Sequence, residues 1–222
     1  PAELSAITFN HVKFFPVDRT NPEKPVWTIM HKKCYHCEEA NCLRICPQHA
    51  ISKLDGWVVI DQSKCIGCGA CVNECVYKVP HVLDESLHKY GSEQPLIKDK
   101  SYKCHACTVN KRDVPACAYH CPTGALSYGE RAALMRKARV RVKQVSADYP
   151  HACIYGDEQF GGLRVITILK DSPEKYGLPL NPKAIDITKA EAIKDTYRAL
   201  ALFSMGVPTL KRMAFKMAKK IV

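Results

Sequence analysis

The sequence predicts an α+β chain built from small modules, each a tight hairpin followed by a short helical turn. Three observations carry this: cysteines grouped in three quartets, turn signals in front of those quartets, and helical periodicity confined to the C-terminal part. A chain of 222 residues can bury a sizeable core in one or two domains, and 46% apolar with 25% charged residues is ordinary for a globular protein.

Residues 1–33 contain two short apolar stretches, ITFNHVKFF and VWTIM, on either side of a turn region rich in Pro, Asn and Asp. That pattern predicts a hairpin or extended pair leading into the first quartet. Between the first two quartets, AISKLDGWVVIDQSKC carries a hairpin turn at Asp55-Gly56 and a strand in WVVID. Residues 84–101 are polar and read as an exposed loop. In GERAALMRKARVRVKQV the spacing predicts a helix of about 15 residues with Leu134, Ala138, Val142 and Val145 on one face and a solvated charged face opposite. GGLRVITILK reads as a strand, and EKYGLPLNP as an extended segment crossing the surface. Residues 189–222 read as a helix, a break at Pro208 and a second helix. There Leu210, Met213, Ala214, Met217 and Ile221 lie opposite Lys211, Arg212, Lys216, Lys219 and Lys220, a face suited to packing on the protein or a partner, or to resting on a membrane surface.

Twelve of the thirteen cysteines form the quartets Cys34, Cys37, Cys42, Cys46; Cys65, Cys68, Cys71, Cys75; and Cys104, Cys107, Cys117, Cys121. They are an internal repeat with variable insertions. Such grouping argues against a secreted disulfide framework and for metal ligation in a reducing compartment. Structural zinc takes two CxxC pairs per ion, separated by a longer loop. Covalent haem needs CxxCH, but Glu38, Gly69 and Thr108 follow the CxxC pairs, and no Cys-x3-Cys-x2-Cys run for radical chemistry occurs. Spacing of x2, x2, x3 suits a [4Fe-4S] cubane: three thiols reach one cluster as the chain curls round it, and the fourth points away to its neighbour. Pro47 and Pro122 then stop the turn. Gly67, Gly69 and Ala70 let the backbone approach the inorganic sulfides.

His36, His49, His105 and His120 sit beside these cysteines and read as surface or supporting residues rather than ligands, while Cys153 in HACIY reads as a buried thiol. No Ser/His/Asp set, phosphate loop or paired carboxylate stands out, so the chain offers no substrate chemistry of its own. Net charge is +11. Three clusters of about −2 each would lower that balance to roughly +5, and the cations lack the aromatic interleaving of a single-strand binding platform. Nucleic acid is therefore excluded as a partner. The apolar run Ala199–Val207 is nine residues, far below the roughly 20 of a membrane span.

The stretches CEEANCLRICPQHAI, CHACTVNKRDVPACAYHCPTGAL and YGDEQFGGLRVITILKDSPEKYGLPLNP resemble the iron-sulfur (β) subunits of molybdenum- and tungsten-dependent oxidoreductases, most closely those of formate dehydrogenase. The resemblance implies ferredoxin-like modules with a C-terminal helical extension. Residues 1–33 and 97–185 would form one half, 34–96 an inserted half with two clusters, and 186–222 a helical tail. It implies four clusters where three quartets are present, the further motif lying upstream of PAEL, so that the chain is expected to be a truncated version of a longer subunit. It also implies exchanged ligands: Cys34, Cys37, Cys42 and Cys75 for one cluster, Cys65, Cys68, Cys71 and Cys46 for the next. Cys104, Cys107 and Cys117 would then share a site with an upstream cysteine and Cys121 would serve an upstream cluster, or the four would close on one site. Val76 stands where relatives carry proline.

The function so implied is relay of electrons between a large Mo/W catalytic subunit and an acceptor subunit or soluble carrier, in the cytoplasm or, with a co-exported complex, the periplasm. The alternatives are the same relay serving an aldehyde, sulfur-compound or sulfoxide oxidoreductase or a hydrogenase, and a non-redox protein scaffolded by its clusters.

Overall fold

A computed structural model describes residues 3–16, 27–84 and 96–203. The α+β class holds: four separate two-stranded antiparallel sheets and a set of short and long helices. Strand β1 (Asn10–Phe14) pairs with β2 (Ile29–Lys33), and β2 ends at the residue before Cys34. Strands β3 (Ile51–Leu54) and β4 (Trp57–Ile60) close through Asp55 and Gly56, both at positive φ (50° and 78°), as a two-residue hairpin requires. Strand β5 (His81–Val82) pairs with β6 (Ser101–Tyr102), and β7 (Cys153–Tyr155) with β8 (Thr167–Leu169).

Each quartet has one single-turn helix: α1 (Asn41–Arg44) carries Cys42, α2 (Ala70–Asn73) carries Cys71, and α3 (Ala116–Tyr119) carries Cys117. Helices of one turn and sheets of two strands are marginal in isolation, so packing between modules must hold them. Much of that packing is aromatic. Tyr35, Tyr77, Tyr155 and Phe160 are buried with Leu163 and Leu169 around Cys34, the Tyr35 and Tyr77 rings 4.5 Å apart. Tyr77 and Tyr155 share a hydroxyl hydrogen bond of 3.0 Å, and Tyr155 donates to Pro179 O at 2.9 Å, which satisfies the polar tips of buried rings.

The later elements meet the expectations unevenly. Helix α4 (Arg131–Val145) is 15 residues long, capped by Glu130, whose carboxylate accepts from Ala132 N and Ala133 N. Ala138 is buried as expected, and so is Met135, beside the chosen stripe. Only Thr167–Leu169 of GGLRVITILK is strand. Its first half instead lies along the first quartet: Arg164 N donates to His36 O, Val165 N to Tyr35 O, and Cys37 bridges Leu163. EKYGLPLNP keeps Glu174, Lys175, Gly177, Leu180 and Asn181 exposed, as expected, but it is anchored in the core. A 3-10 turn at Pro173–Tyr176 drives Tyr176 and Leu178 into the aromatic core, because two large apolar side chains on a turn still gain by leaving water. Ser101, read as loop, is 2% exposed in β6; residues 85–95 lie outside the described residues.

Helix α5 (Ile187–Phe203) starts within the expected tail of 186–222, two residues before the helix read from 189, and presents Ala190, Lys194 and Tyr197 as a buried face, Tyr197 packing on Ile45, Cys68 and Ala70. Arg44 donates to Ile185 O and Ile185 N to Asn41 Oδ1, clamping α1 to the chain entering α5. Pro208 and the second tail helix lie outside the described residues. No helix among the described residues is long and apolar enough to cross a membrane.

Gly67 has a tighter reason to be glycine than approach to a cofactor. At φ +65° an added Cβ would stand 1.6 Å from Asp99 O, whereas at Gly69 (φ +83°) it would meet nothing within 4 Å. Gly67→Ala is therefore expected to lose clearly more stability than Gly69→Ala, whose cost is the conformational one of about 1–2 kcal/mol. Denaturant midpoints of the two variants check this.

Candidate metal centre

Ten of the twelve quartet cysteines line cavities, Cys107 and Cys121 being the exceptions, and all thirteen thiols are free. Burial pushes the Cys37 thiol up, and the neighbouring Cys34, Cys42 and Cys75 sulfurs push it further. The same four line one small cavity of about 30 Å³ with Tyr35, His36 and Lys103. Burial likewise raises the Cys71 thiol, and Cys68, Cys65 and Cys46 add to it; those four line a second cavity of about 20 Å³. Cys75 thus stands with the first quartet and Cys46 with the second. Each space exceeds the 10–15 Å³ or so that one water needs.

Burial and close sulfurs raise most of these thiols, Cys68 to about 12 and Cys75 to about 11. Uncharged, they would be inert. Cys34 is the exception: burial opposes ionisation, yet the His36 ring and the Lys103 ammonium outweigh it and hold the thiol near 6. His36 is 1% exposed, accepts at Nδ1 from Val58 N at 3.1 Å, and meets Trp57 edge-on at 5.0 Å. Its Nε2 is buried without a hydrogen-bond partner among the described residues.

The third quartet is more open. Cys104 is raised to about 11 by burial, with Cys34 and Cys117 adding to it. Cys104 and Cys117 line a third cavity of about 500 Å³ that also touches Cys34, Trp57 and Tyr128. Cys107 adjoins through Ala116 N, while Cys121 lies partly exposed and accepts from Leu126 N at 3.4 Å. Cys153, expected to be buried, is only partly so and lies beside Asp171 O.

Among the described residues no group of three or more His, Cys, Asp or Glu is set to hold a single metal ion. The sulfurs stand instead around open space, and backbone N–H groups reach Cys46, Cys65, Cys104, Cys107 and Cys121 at 3.3–3.4 Å. A soft donor set of four thiols round a void, with N–H donors directed at sulfur, fits an iron-sulfur cluster. Ser101 adds a hydroxyl 3.1 Å from Cys71 Sγ.

Sequence reasoning missed Lys103, although a signal existed. A lysine precedes the first cysteine of every quartet: Lys33, Lys64 and Lys103. Their surroundings differ. The Lys64 side chain is 62% exposed, Lys33 Nζ lies 4.0 Å from Cys117 Sγ, and Lys103 is 5% exposed, donating to Val58 O and, at 3.0 Å, to Cys104 O.

Comparison with known proteins matches residues 25–131 to the 4Fe-4S dicluster domain. The chain is 34% identical over 191 residues to the nitrate-inducible formate dehydrogenase iron-sulfur subunit of Escherichia coli K12, covering 82% of this chain and 60% of that protein. It is 32% identical over 222 residues to the formate dehydrogenase iron-sulfur subunit of Haemophilus influenzae, covering 96% and 66%. With the Hydrogenase-2 operon protein HybA of E. coli O157:H7 the identity is 28% over 211 residues, covering 81% and 61%. The chain spans about 60% of the length of the first of these relatives.

His36→Leu is expected to cost about 1–3 kcal/mol, because it strands the buried Val58 N–H. A lowered urea midpoint with an unchanged slope would meet this expectation, and an unchanged midpoint would contradict it.

Proposed function

We infer the function from the family as premise: the chain belongs to the 4Fe-4S dicluster proteins. It is an electron-transfer subunit of a formate dehydrogenase. The observation that carries this is the crossed gathering of sulfurs round two adjoining cavities, Cys75 with Cys34, Cys37 and Cys42, and Cys46 with Cys65, Cys68 and Cys71. Those sets ligate two [4Fe-4S] clusters, which when bound accept and release single electrons. Cys104, Cys107, Cys117 and Cys121 serve a third site, and with an upstream motif a fourth. The protein's own residues fix the spacing of the sites, exclude water through the tyrosine core, and donate N–H groups to sulfur.

The catalytic partner is a large molybdenum or tungsten subunit, and an acceptor subunit or soluble carrier takes the electrons. The complex works in the cytoplasm, with the periplasm as alternative. Residues 34–96 act as the inserted two-cluster half, residues 1–33 and 97–185 as the other. Similarity to HybA favours, as second reading, the same relay serving a hydrogenase.

Anaerobic purification with iron and sulfide analysis, reductive titration and electron paramagnetic resonance tests this. Reducible, magnetically coupled cubanes are expected; clusters that stay oxidised at every accessible potential would leave a scaffold instead. Cys37→Ser is expected to cost about four irons per chain and Cys153→Ser none. A co-purifying large subunit that binds nickel rather than molybdenum or tungsten would move the assignment to the second reading.

A further inference from the structure

Lys103 is a cation in an unusual place. It is 5% exposed, and none of the ion pairs among the described residues includes it. Its ammonium is held by two carbonyl oxygens, those of Val58 and Cys104, and the side chain lines the cavity of Cys34, Cys37, Cys42 and Cys75. Burying a charge demands an opposite charge nearby, and carbonyl dipoles supply only part of it. The four sulfurs that line the same cavity are the groups placed to supply the rest.

Contrast with the second site sharpens this. The cavity of Cys46, Cys65, Cys68 and Cys71 is lined by Ser101, Gln48 and apolar residues with no charged side chain, whereas the first is lined by the buried Lys103 and the part-exposed Glu74. Lys100 reaches Cys65 O there, but from a partly exposed rim where water screens its charge. A single stretch, Ser101 to Cys104, therefore turns a neutral hydroxyl to the second site, a buried cation to the first and a thiol to the third.

We propose that Lys103 sets the reduction potential of the site formed by Cys34, Cys37, Cys42 and Cys75, making it easier to reduce than the adjoining site of Cys46, Cys65, Cys68 and Cys71. This rests on the reading of both sites as [4Fe-4S] ligand sets. One electron entering such a site adds one negative charge, taking the ligated cluster from about −2 to about −3. In the relay that electron leaves the adjoining site, which is oxidised by one. A buried ammonium stabilises the more negative state, and the low dielectric around it preserves the effect. The electron shared by the two sites then rests on the first.

The test is a redox titration followed by electron paramagnetic resonance on the anaerobically purified full chain, comparing wild type with Lys103→Gln, Lys103→Arg and Lys64→Gln. Lys103→Gln keeps donors for the two carbonyls and removes the charge. It is expected to make one site at least tenfold harder to reduce, about 59 mV for one electron, that site being the one whose signal disappears in Cys37→Ser. Lys103→Arg and the exposed Lys64→Gln are expected to leave both potentials in place. Full iron with unchanged potentials in Lys103→Gln overturns the proposal. Should that variant not load, Lys103→Met is read in its place, and failure of both to load while Lys103→Arg loads assigns the residue to assembly and overturns it equally. Wild type without [4Fe-4S] clusters would instead bring down the relay reading itself.

Discussion

Sulfur exchanged between segments is the constraint on which the rest of the molecule depends. Cys46 closes the group begun by Cys65, and Cys75 the group begun by Cys34, so neither segment can complete its own site. The exchange forces α1 and α2 together and explains the small residues between them. Ala40, Ala50 and Ala70 are all buried, and a larger side chain at any of them would push the sulfur sets apart. It also explains how four two-stranded sheets and three one-turn helices can persist. Each is too small to stand alone, so each must be held by packing against other parts of the chain. On the proposed ligation, metal binding and folding become one free energy.

Around that centre the chain builds two different surroundings. The first sulfur set is sheathed by Tyr35, Tyr77 and Phe160, with His36 and Lys103 against it. The second is sheathed by Ala50, Ile51, Ile60 and Ala70, with Ser101 against it. The tyrosines are not a polar environment: burial raises their hydroxyls, and Tyr77 and Tyr155 satisfy each other. What separates the two sites is charge, since the histidine ring and the ammonium favour an ionised Cys34 where burial alone would forbid it.

Much of the fold was legible because turn chemistry and hydrophobic period act over a few residues. Asp55-Gly56 specified its hairpin, and the stripe through Ala138 specified α4, since local sterics and one buried face decide both. The failures share a cause in tertiary contact. GGLRVITILK reads as one strand, but its first half finds its hydrogen-bond partners in Tyr35 and His36, more than a hundred residues away. EKYGLPLNP looks like surface because Pro and Gly dominate it, yet Tyr176 and Leu178 fill the core left beside Phe15. Cysteine spacing marked the eight sulfurs that line the two small cavities, but local reading could say only that a fourth thiol points elsewhere. Which group receives it depends on how segments pack.

The same limit governs the reading of net charge, which counts lysines without regard to where they lie. Three lysines at equivalent places in the repeat end in three roles. Lys64 pairs loosely with Asp61 in solvent, Lys33 leans toward Cys117, and Lys103 is sealed in among thiols. Along α4, Arg131 and Arg139 turn to Asp157, and Arg131 also donates to Leu163 O, so part of that basic face braces the loop after β7. A balance of +11 on such a chain is thus partly structural. A cation beside a group of buried thiols lowers the cost of their ionisation, and an anion there would raise it, so a protein that gathers twelve sulfurs gains from an excess of lysine and arginine near them. Lys33 and Lys103 are lysines placed in this way, beside Cys117 and in the cavity of Cys34.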